Sequence, residues 1–330
     1  MPKYFVNSTD DLTREALTGF ARAHPETVVW HEDEGYLSAV ERAPGRRTGL
    51  VSGGGSGHEP LHVGFVGRGM LDAACPGQIF ASPHNRQIFA ASRAVAGPEG
   101  VLHLVKNYTG DKINFGIAAE RLAREGIRCA RVLIDDDLAT ESEEVAVGRR
   151  GTGATVLVEK ILGAAADTGM GLDELAALGE DLVGRSRSLA VASAAHTTPE
   201  TGLPAFELAR GDLEYGVGIH GERARSTVPQ PPVKELVAGM SRSLLESLGV
   251  GAGDSVVVLV NGLGAVTSLE LYTVYAEVTE VLEEAGVRVD RSLVGDYVTA
   301  LDMRGFSLTF LRSDPRTVGH FDAPARTAAW

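Results

Sequence analysis

Short apolar runs alternate with longer segments whose apolar residues recur at helical spacing. Leu50-Val51 ends one apolar run, and Val101-Leu-His-Leu-Val105 and Val132-Leu-Ile134 form two more. Such runs, bounded by glycine and polar residues, predict buried strands. Between them, Asn7-Ser-Thr-Asp-Asp offers an N-cap for a helix over 9–23. Pro83 to Ala96 and Asp111 to Arg124 predict two more helices, the latter closed by Gly126. Helices over 152–168 and 172–185 follow. This rhythm predicts a mainly parallel sheet covered by helices.

After Leu189-Ala-Val-Ala-Ser193 the texture changes. The polar, proline-bearing stretch from His196 to Pro204 reads as a linker. A second alternation begins with a strand over Leu213–His220, a helix over Val233–Leu248 and a strand over Val256–Val260. A helix over Ser268–Ala285 and strands over Val287–Leu293 and Phe306–Leu311 complete it. The expected architecture is therefore two α/β domains. Residues 1–190 carry the parallel sheet, and residues 191–330 form a smaller mixed-sheet domain. A chain of 330 residues, 44% hydrophobic, is long enough for both cores.

Charge narrows the function classes. A formal net charge of −13 argues against sequence-independent nucleic-acid binding, which needs clustered cations. Two cysteines, Cys75 and Cys129, give neither a disulfide framework nor a metal cluster. With no signal-peptide core and no apolar run of membrane-spanning length, the expectation is a reduced cytoplasmic protein without a membrane anchor.

The most informative segment is Leu50-Val-Ser-Gly-Gly-Gly-Ser-Gly-His58-Glu-Pro60. Four glycines within five positions read as a loop after a strand, where backbone approaches a ligand closely. It is no Walker loop, because Gly57 is followed by His58 and Glu59 rather than by lysine and a hydroxyl residue. It is no dinucleotide fingerprint, because positions 58 and 60 lack the required glycine. His58-Glu-Pro-Leu-His62 spells a zinc-protease motif, but that motif needs a helix. Pro60 forbids one there.

Three further places carry candidate chemistry. In Leu213-Glu-Tyr-Gly-Val-Gly-Ile-His220, a strand period places His220 on the face of Gly216 and Gly218, which leaves space beside the imidazole for a ligand. Lys106 and Asp111 follow the strand 101–105, on the sheet edge expected to hold the glycine loop. Taken alone, Asp111 reads as an N-cap and Lys106 as a solvated lysine. Asp135-Asp136-Asp137 raises a magnesium site, although acidic residues ending a buried strand are usually just solvated. His62, His84, His103, His196 and His320 show no mutual ligand spacing.

Together these segments resemble the dihydroxyacetone kinase family, specifically its substrate-binding K subunit. The likeness runs through Val51–Pro60, Val105–Phe115, Gly216–Glu222, Leu259–Ala265 and Arg291–Tyr297, then Leu301-Asp-Met and Gly305-Phe-Ser-Leu, in order along the chain. The resemblance implies a histidine that holds a ketose as a covalent hemiaminal while a terminal hydroxyl is phosphorylated. His220 matches that histidine. Asp111 matches the general base on the hydroxyl, and His58 matches the residue assisting adduct formation and phosphoryl transfer. Gly55, Ser56, Gly57 and Lys106 match substrate contacts, and Ser82 does so more weakly. A neutral imidazole is available for attack near neutrality, since free histidine has a pKa of about 6.5.

The resemblance also implies partners. It places no metal and no cofactor in this chain, and ATP or ADP with magnesium on a separate nucleotide-bearing L subunit. A homodimer is expected as well. Ser82-Pro-His-Asn-Arg-Gln87 and Ala194-Ala-His-Thr-Thr-Pro199 depart from the family pattern, so a related short ketose such as erythrulose stays open beside dihydroxyacetone. A non-catalytic sugar-sensing paralogue is the alternative. The presence of both His58 and Asp111 favours the kinase, because a sensor needs no base for phosphoryl transfer.

Overall fold

Each apolar run becomes a strand, and the strands collect into two six-stranded sheets, one in each of two units. The structure is a computed structural model that describes residues 4–140, 148–223 and 226–330. The first unit comprises Phe5–Ile134, Thr155–Asp181 and Gly319–Trp330. The second comprises Met1–Tyr4, Asp135–Ala154 and Leu182–Val318.

In the first unit the sheet runs β1 (Val28–His31), β2 (Tyr36–Ala39), β4 (Ala73–Ile79), β3 (Thr48–Ser56), β5 (Gly100–Lys106) and β6 (Cys129–Ile134). The last four are mutually parallel, while β1 and β2 form an antiparallel edge. β3 lies between parallel β4 and β5, with β5 pairing it as far as Ser52 and β4 beyond, and it is buried along its whole length. Helices α1 (Leu12–Ala23), α2 (Asn85–Val95), α3 (Thr109–Arg124), α4 (Ala154–Asp167) and α5 (Leu172–Gly184) accompany the sheet. The core packs Val51, Cys75, Val101 and Val105 of the strands against Ile88, Phe115 and Leu122 of α2 and α3.

The second sheet runs β11 (Arg288–Gly295), β10 (Ser255–Gly262), β12 (Arg304–Arg312), β7 (Ser186–Ala194), β8 (Asp212–Tyr215) and β9 (Ser226–Pro229). Only β10 and β11 are parallel. Val256, Val258 and Val260 of β10 pack on α6 (Val233–Leu248) and α7 (Ser268–Glu284) through Met240, Leu244, Val274 and Val278. Thr267 and Glu270 close a reciprocal capping box that starts α7, and Gly249 in the left-handed region ends α6. A short α8 (Pro315–Asp322) follows β12.

Several expectations are corrected. The glycine run is not a loop, since β3 extends to Ser56 and three of its glycines lie within the strand. A cut between 190 and 191 would pass through β7, which pairs with β12 along most of its length. Of the described residues, 135–140, 148–154 and 182–190 therefore belong with the second unit. The stretch from His196 to Pro204 is part of the second unit rather than a linker. Thr197 donates its backbone N–H and its hydroxyl to Asp302, at 2.6 and 2.9 Å, and Thr198 N–H donates to Leu203 O. β8 stops at Tyr215, so the alternation expected through His220 ends where Gly216 takes a φ of +88°. Strands β1, β2, β4 and β9 and helix α8 go unread in the sequence. They are short or, like Ala73–Ile79, interrupted by proline and glycine.

Candidate active site

The first unit gathers its predicted residues at the carboxyl ends of three parallel strands, the place where open α/β sheets bind ligands. Gly55 and Ser56 end β3, with Gly57 and His58 in the turn beyond. Ser56 donates its hydroxyl to Gly77 O at 2.7 Å, and its carbonyl accepts from Phe80 N–H, which ties the ends of β3 and β4 together. The buried His58 ring stacks on Phe80, with centroids 5.0 Å apart. Gly57 N–H donates to the Glu59 carboxylate at 3.0 Å. Residues 58–62 form a turn, which excludes the helical zinc motif.

Lys106 ends β5, and Asp111 lies in the first turn of α3, both buried. Asp111 is not the N-cap, a position held by Tyr108. One of its carboxylate oxygens is buried with no hydrogen-bond partner, which suits a group that waits for a substrate hydroxyl. Ser82 abuts the same helix start, since a Cβ at Gly110 would lie 2.6 Å from its hydroxyl.

Lys106 is not solvated. Its Nζ donates to His62 Nε2 at 2.7 Å, and Gly53 O lies 3.4 Å away. His62 Nδ1 in turn lies 2.6 Å from Glu159 Oε1 of α4 and 2.9 Å from Ser52 Oγ. A Cβ at Gly54 would fall 2.2 Å from Lys106 Nζ, so glycine there makes room for the ammonium. Burial lowers the Lys106 pKa against the pull of Asp111 and Glu159. It raises that of Glu159, and it lowers that of His62, with the Lys106 and His58 charges adding to the effect. His62 and Glu159 were not among the residues expected at the site. The separation of 97 positions between them hides the pairing from any local pattern.

His220 stands in the second unit, after β8, with its own partners. Its Nδ1 lies 2.8 Å from Glu222 Oε1, and its backbone N–H donates to Glu222 Oε2 at 2.9 Å. The space expected beside Gly218 is filled: a Cβ there would fall 2.0 Å from Glu222 Oε2 and 2.5 Å from Arg150 Nη1. The glycine admits a carboxylate rather than a ligand. Burial by itself would raise the Glu222 carboxyl. The His220 hydrogen bond and charge, with Arg150, outweigh it and hold it at about 2. Arg150 is fixed by Asp137 and donates to Gly216 O. His196 lies against Gly221, and burial lowers its pKa. Glu222 sits inside the matched motif and was readable there as a histidine partner. Arg150 and His196 were not.

The aspartate triplet is structural. Asp136 accepts from Thr152 and Ala154 backbone N–H and from the Thr152 and Ser188 hydroxyls, while Asp135 and Asp137 pair with Arg149 and Arg150. Among the described residues, no group of three metal-ligating side chains converges, and no helix is long and apolar enough to cross a membrane.

Residues 18–329 match the Dak1 domain. The chain is 41% identical over 351 residues to the dihydroxyacetone-binding subunit DhaK of the PEP-dependent dihydroxyacetone kinase of Escherichia coli (strain K12), covering 99% of this chain and 98% of that one. Its fold is similar to the dihydroxyacetone kinase operon co-activator DhaQ, with a TM-score of 0.91 and 32% identity over 96% of this chain and 97% of the other. It matches the dihydroxyacetone kinase of C. freundii equally well, with a TM-score of 0.91 and 32% identity, over all of this chain but 60% of that longer one. The chain belongs to the dihydroxyacetone kinase family, whose Dak1 domain spans nearly its whole length.

Proposed function

We propose that this chain is the dihydroxyacetone-binding subunit of a dihydroxyacetone kinase, and that it holds the ketose covalently on His220. The observation that carries the reading is the His220–Glu222 pair. A carboxylate on Nδ1 fixes the imidazole tautomer, so the lone pair resides on Nε2. Attack of Nε2 on the ketone carbon converts the carbonyl to a hydroxyl. Positive charge develops on the ring, and Glu222 stabilises it or accepts the Nδ1 proton. The proton gained by the new hydroxyl balances the one the ring gives up. Glycerol has no carbonyl to add to, so selectivity follows from bond formation rather than pocket shape.

Asp111 then takes the proton of the terminal hydroxyl as it attacks phosphorus, and His58 assists both steps. Lys106, with the Gly55–Gly57 backbone, Ser56 and Ser82, contacts the sugar. The phosphoryl group comes from a separate L subunit that carries ATP or ADP with magnesium. The bound nucleotide supplies the transferable phosphate there. The E. coli relative's dependence on PEP supports PEP as the ultimate donor, by way of a phosphorylated carrier. We place the protein in the cytoplasm, as a homodimer.

The fold match to a co-activator favours a second reading, a regulatory subunit that binds the sugar without turning it over. Asp111 and His58 separate the two, since a sensor needs the adduct but no base. Purified chain incubated with dihydroxyacetone should gain the mass of the sugar, and His220→Ala should abolish the gain. With magnesium and ATP or a phosphorylated carrier, turnover should appear only when an L subunit is added. Robust turnover by the isolated chain would overturn the split-site reading. An adduct without turnover in the presence of a competent L subunit would install the regulatory one. Adduct yields with dihydroxyacetone and erythrulose decide between the two ketoses.

A further inference from the structure

The buried trio of Lys106, His62 and Glu159 occupies one side of the glycine strand and exceeds what a simple substrate contact needs. A neutral imidazole has one donor nitrogen and one acceptor nitrogen. With Glu159 Oε1 at 2.6 Å from Nδ1, the proton sits on Nδ1, and Nε2 accepts from Lys106 at 2.7 Å. Hydrogens therefore point one way along the chain, from ammonium to imidazole to carboxylate. The other groups facing the ammonium are Gly53 O and the Asp111 carboxylate, both acceptors. His58, whose charge also bears on His62, is the remaining titratable neighbour. No part of the trio is exposed beyond 4%.

A buried cation survives only where opposite charge and acceptors surround it. Gly54 contributes by its missing side chain, since any Cβ would strike the lysine head. The arrangement fixes both the place and the charge of a side chain whose four-carbon stem is otherwise mobile.

We propose that Glu159 is a positioning residue for Lys106: acting through His62, it anchors and charge-balances the ammonium that meets the ketose. This rests on the reading that Lys106 contacts the sugar. Glu159 itself does not touch substrate.

The chain has five lysines, so lysine labelled with carbon-13 at Cε gives a spectrum in which Lys106 is identified by elimination, using Arg replacements of the partly exposed Lys112 and the exposed Lys234 among others. In the unaltered protein Lys106 should titrate below the ordinary lysine range. Glu159→Gln keeps an oxygen to accept from Nδ1 but removes the charge. A cation that loses a nearby anion is harder to protonate, so the Lys106 pKa should fall by about one unit or more. His62→Leu removes the acceptor and should lower it too, which covers the case in which the Gln variant fails to fold.

With an L subunit present, the alkaline limb of kcat/KM in Glu159→Gln should move to lower pH by the same amount. A packing role alone would leave the limb in place. Unchanged Lys106 titration in both variants would overturn the proposal. Loss of the His220 adduct in the unaltered protein would instead overturn the functional reading, while the lysine titration still tests the coupling.

Discussion

The two units each hold a histidine whose Nδ1 meets a glutamate, and the pairs differ in almost everything else. His62 and Glu159 are 97 positions apart, 2.6 Å from atom to atom, and sealed in the core. His220 and Glu222 are two positions apart, 2.8 Å from atom to atom, and His220 keeps a fifth of its side chain accessible. In both, the carboxylate selects the tautomer and directs the Nε2 lone pair outward. At His62 that lone pair is already taken by Lys106, so the pair builds a fixed cation. At His220 it is the nucleophile of the proposed reaction. The role of a histidine–carboxylate couple is thus decided by what lies beyond Nε2, not by the couple.

The sharpest test of that contrast lies at Asp111, which neither pair contains. Asp111→Asn keeps the volume and removes basicity. Turnover with an L subunit should fall by about 10²–10⁴ while the mass adduct persists. Near-normal turnover would leave Asp111 a structural member of the first turn of α3.

Stability should separate the pairs next. Glu159→Leu strands a buried cation and should cost about 3–5 kcal/mol, measured by urea unfolding, unless Lys106 gives up its proton. Glu222→Leu removes a partly exposed carboxylate and should cost much less. Equal losses would mean that accessibility does not distinguish the couples.

Chemistry should separate them in the opposite order. Glu222→Gln weakens a hydrogen bond to a ring that becomes cationic, so the apparent affinity for dihydroxyacetone, read from adduct titration, should drop about tenfold to a hundredfold. Glu222 holds its proton only near pH 2, so its stabilising contribution is present above the ordinary glutamate pKa and is lost as pH falls from there toward 2. It adds no limb to adduct formation between pH 5 and 8.

The smallest effects concern the glycines that seat the charged heads. Gly54→Ala would push Lys106 Nζ aside, a cheap move for the end of a flexible chain, and should weaken sugar binding by about tenfold while the fold survives. Gly218→Ala would displace the Glu222 carboxylate and should reproduce a part of the Glu222→Gln loss. If either alanine is silent, the corresponding head is not held where the structure has it.

Much of this was readable from the chain. The buried strands at 101–105 and 132–134 and helix α6 at Val233–Leu248 appear at or close to their expected bounds, because continuous apolar runs and helical periodicity are local properties. The glycine segment was found but misjudged, since a run of glycines looks like a loop until a parallel neighbour, here β4, takes it into the sheet. The space inferred beside His220 was misjudged for a related reason. A glycine signals that something approaches, and only the fold says whether that is substrate or a carboxylate of the same chain.

Residue chemistry was thus carried by short stretches: His58 beside the glycines, Lys106 and Asp111 five residues apart, and His220 two before Glu222. Those spacings are fixed by covalent connection and need no tertiary structure to be read. Domain division was not, because β7 joins its sheet through β12, more than a hundred residues later. Nor was the state of Lys106. A lysine after a buried strand is ordinarily solvated. It is buried and balanced here because the fold brings His62 from one turn and Glu159 from a distant helix to the same ammonium, and no local pattern encodes that meeting.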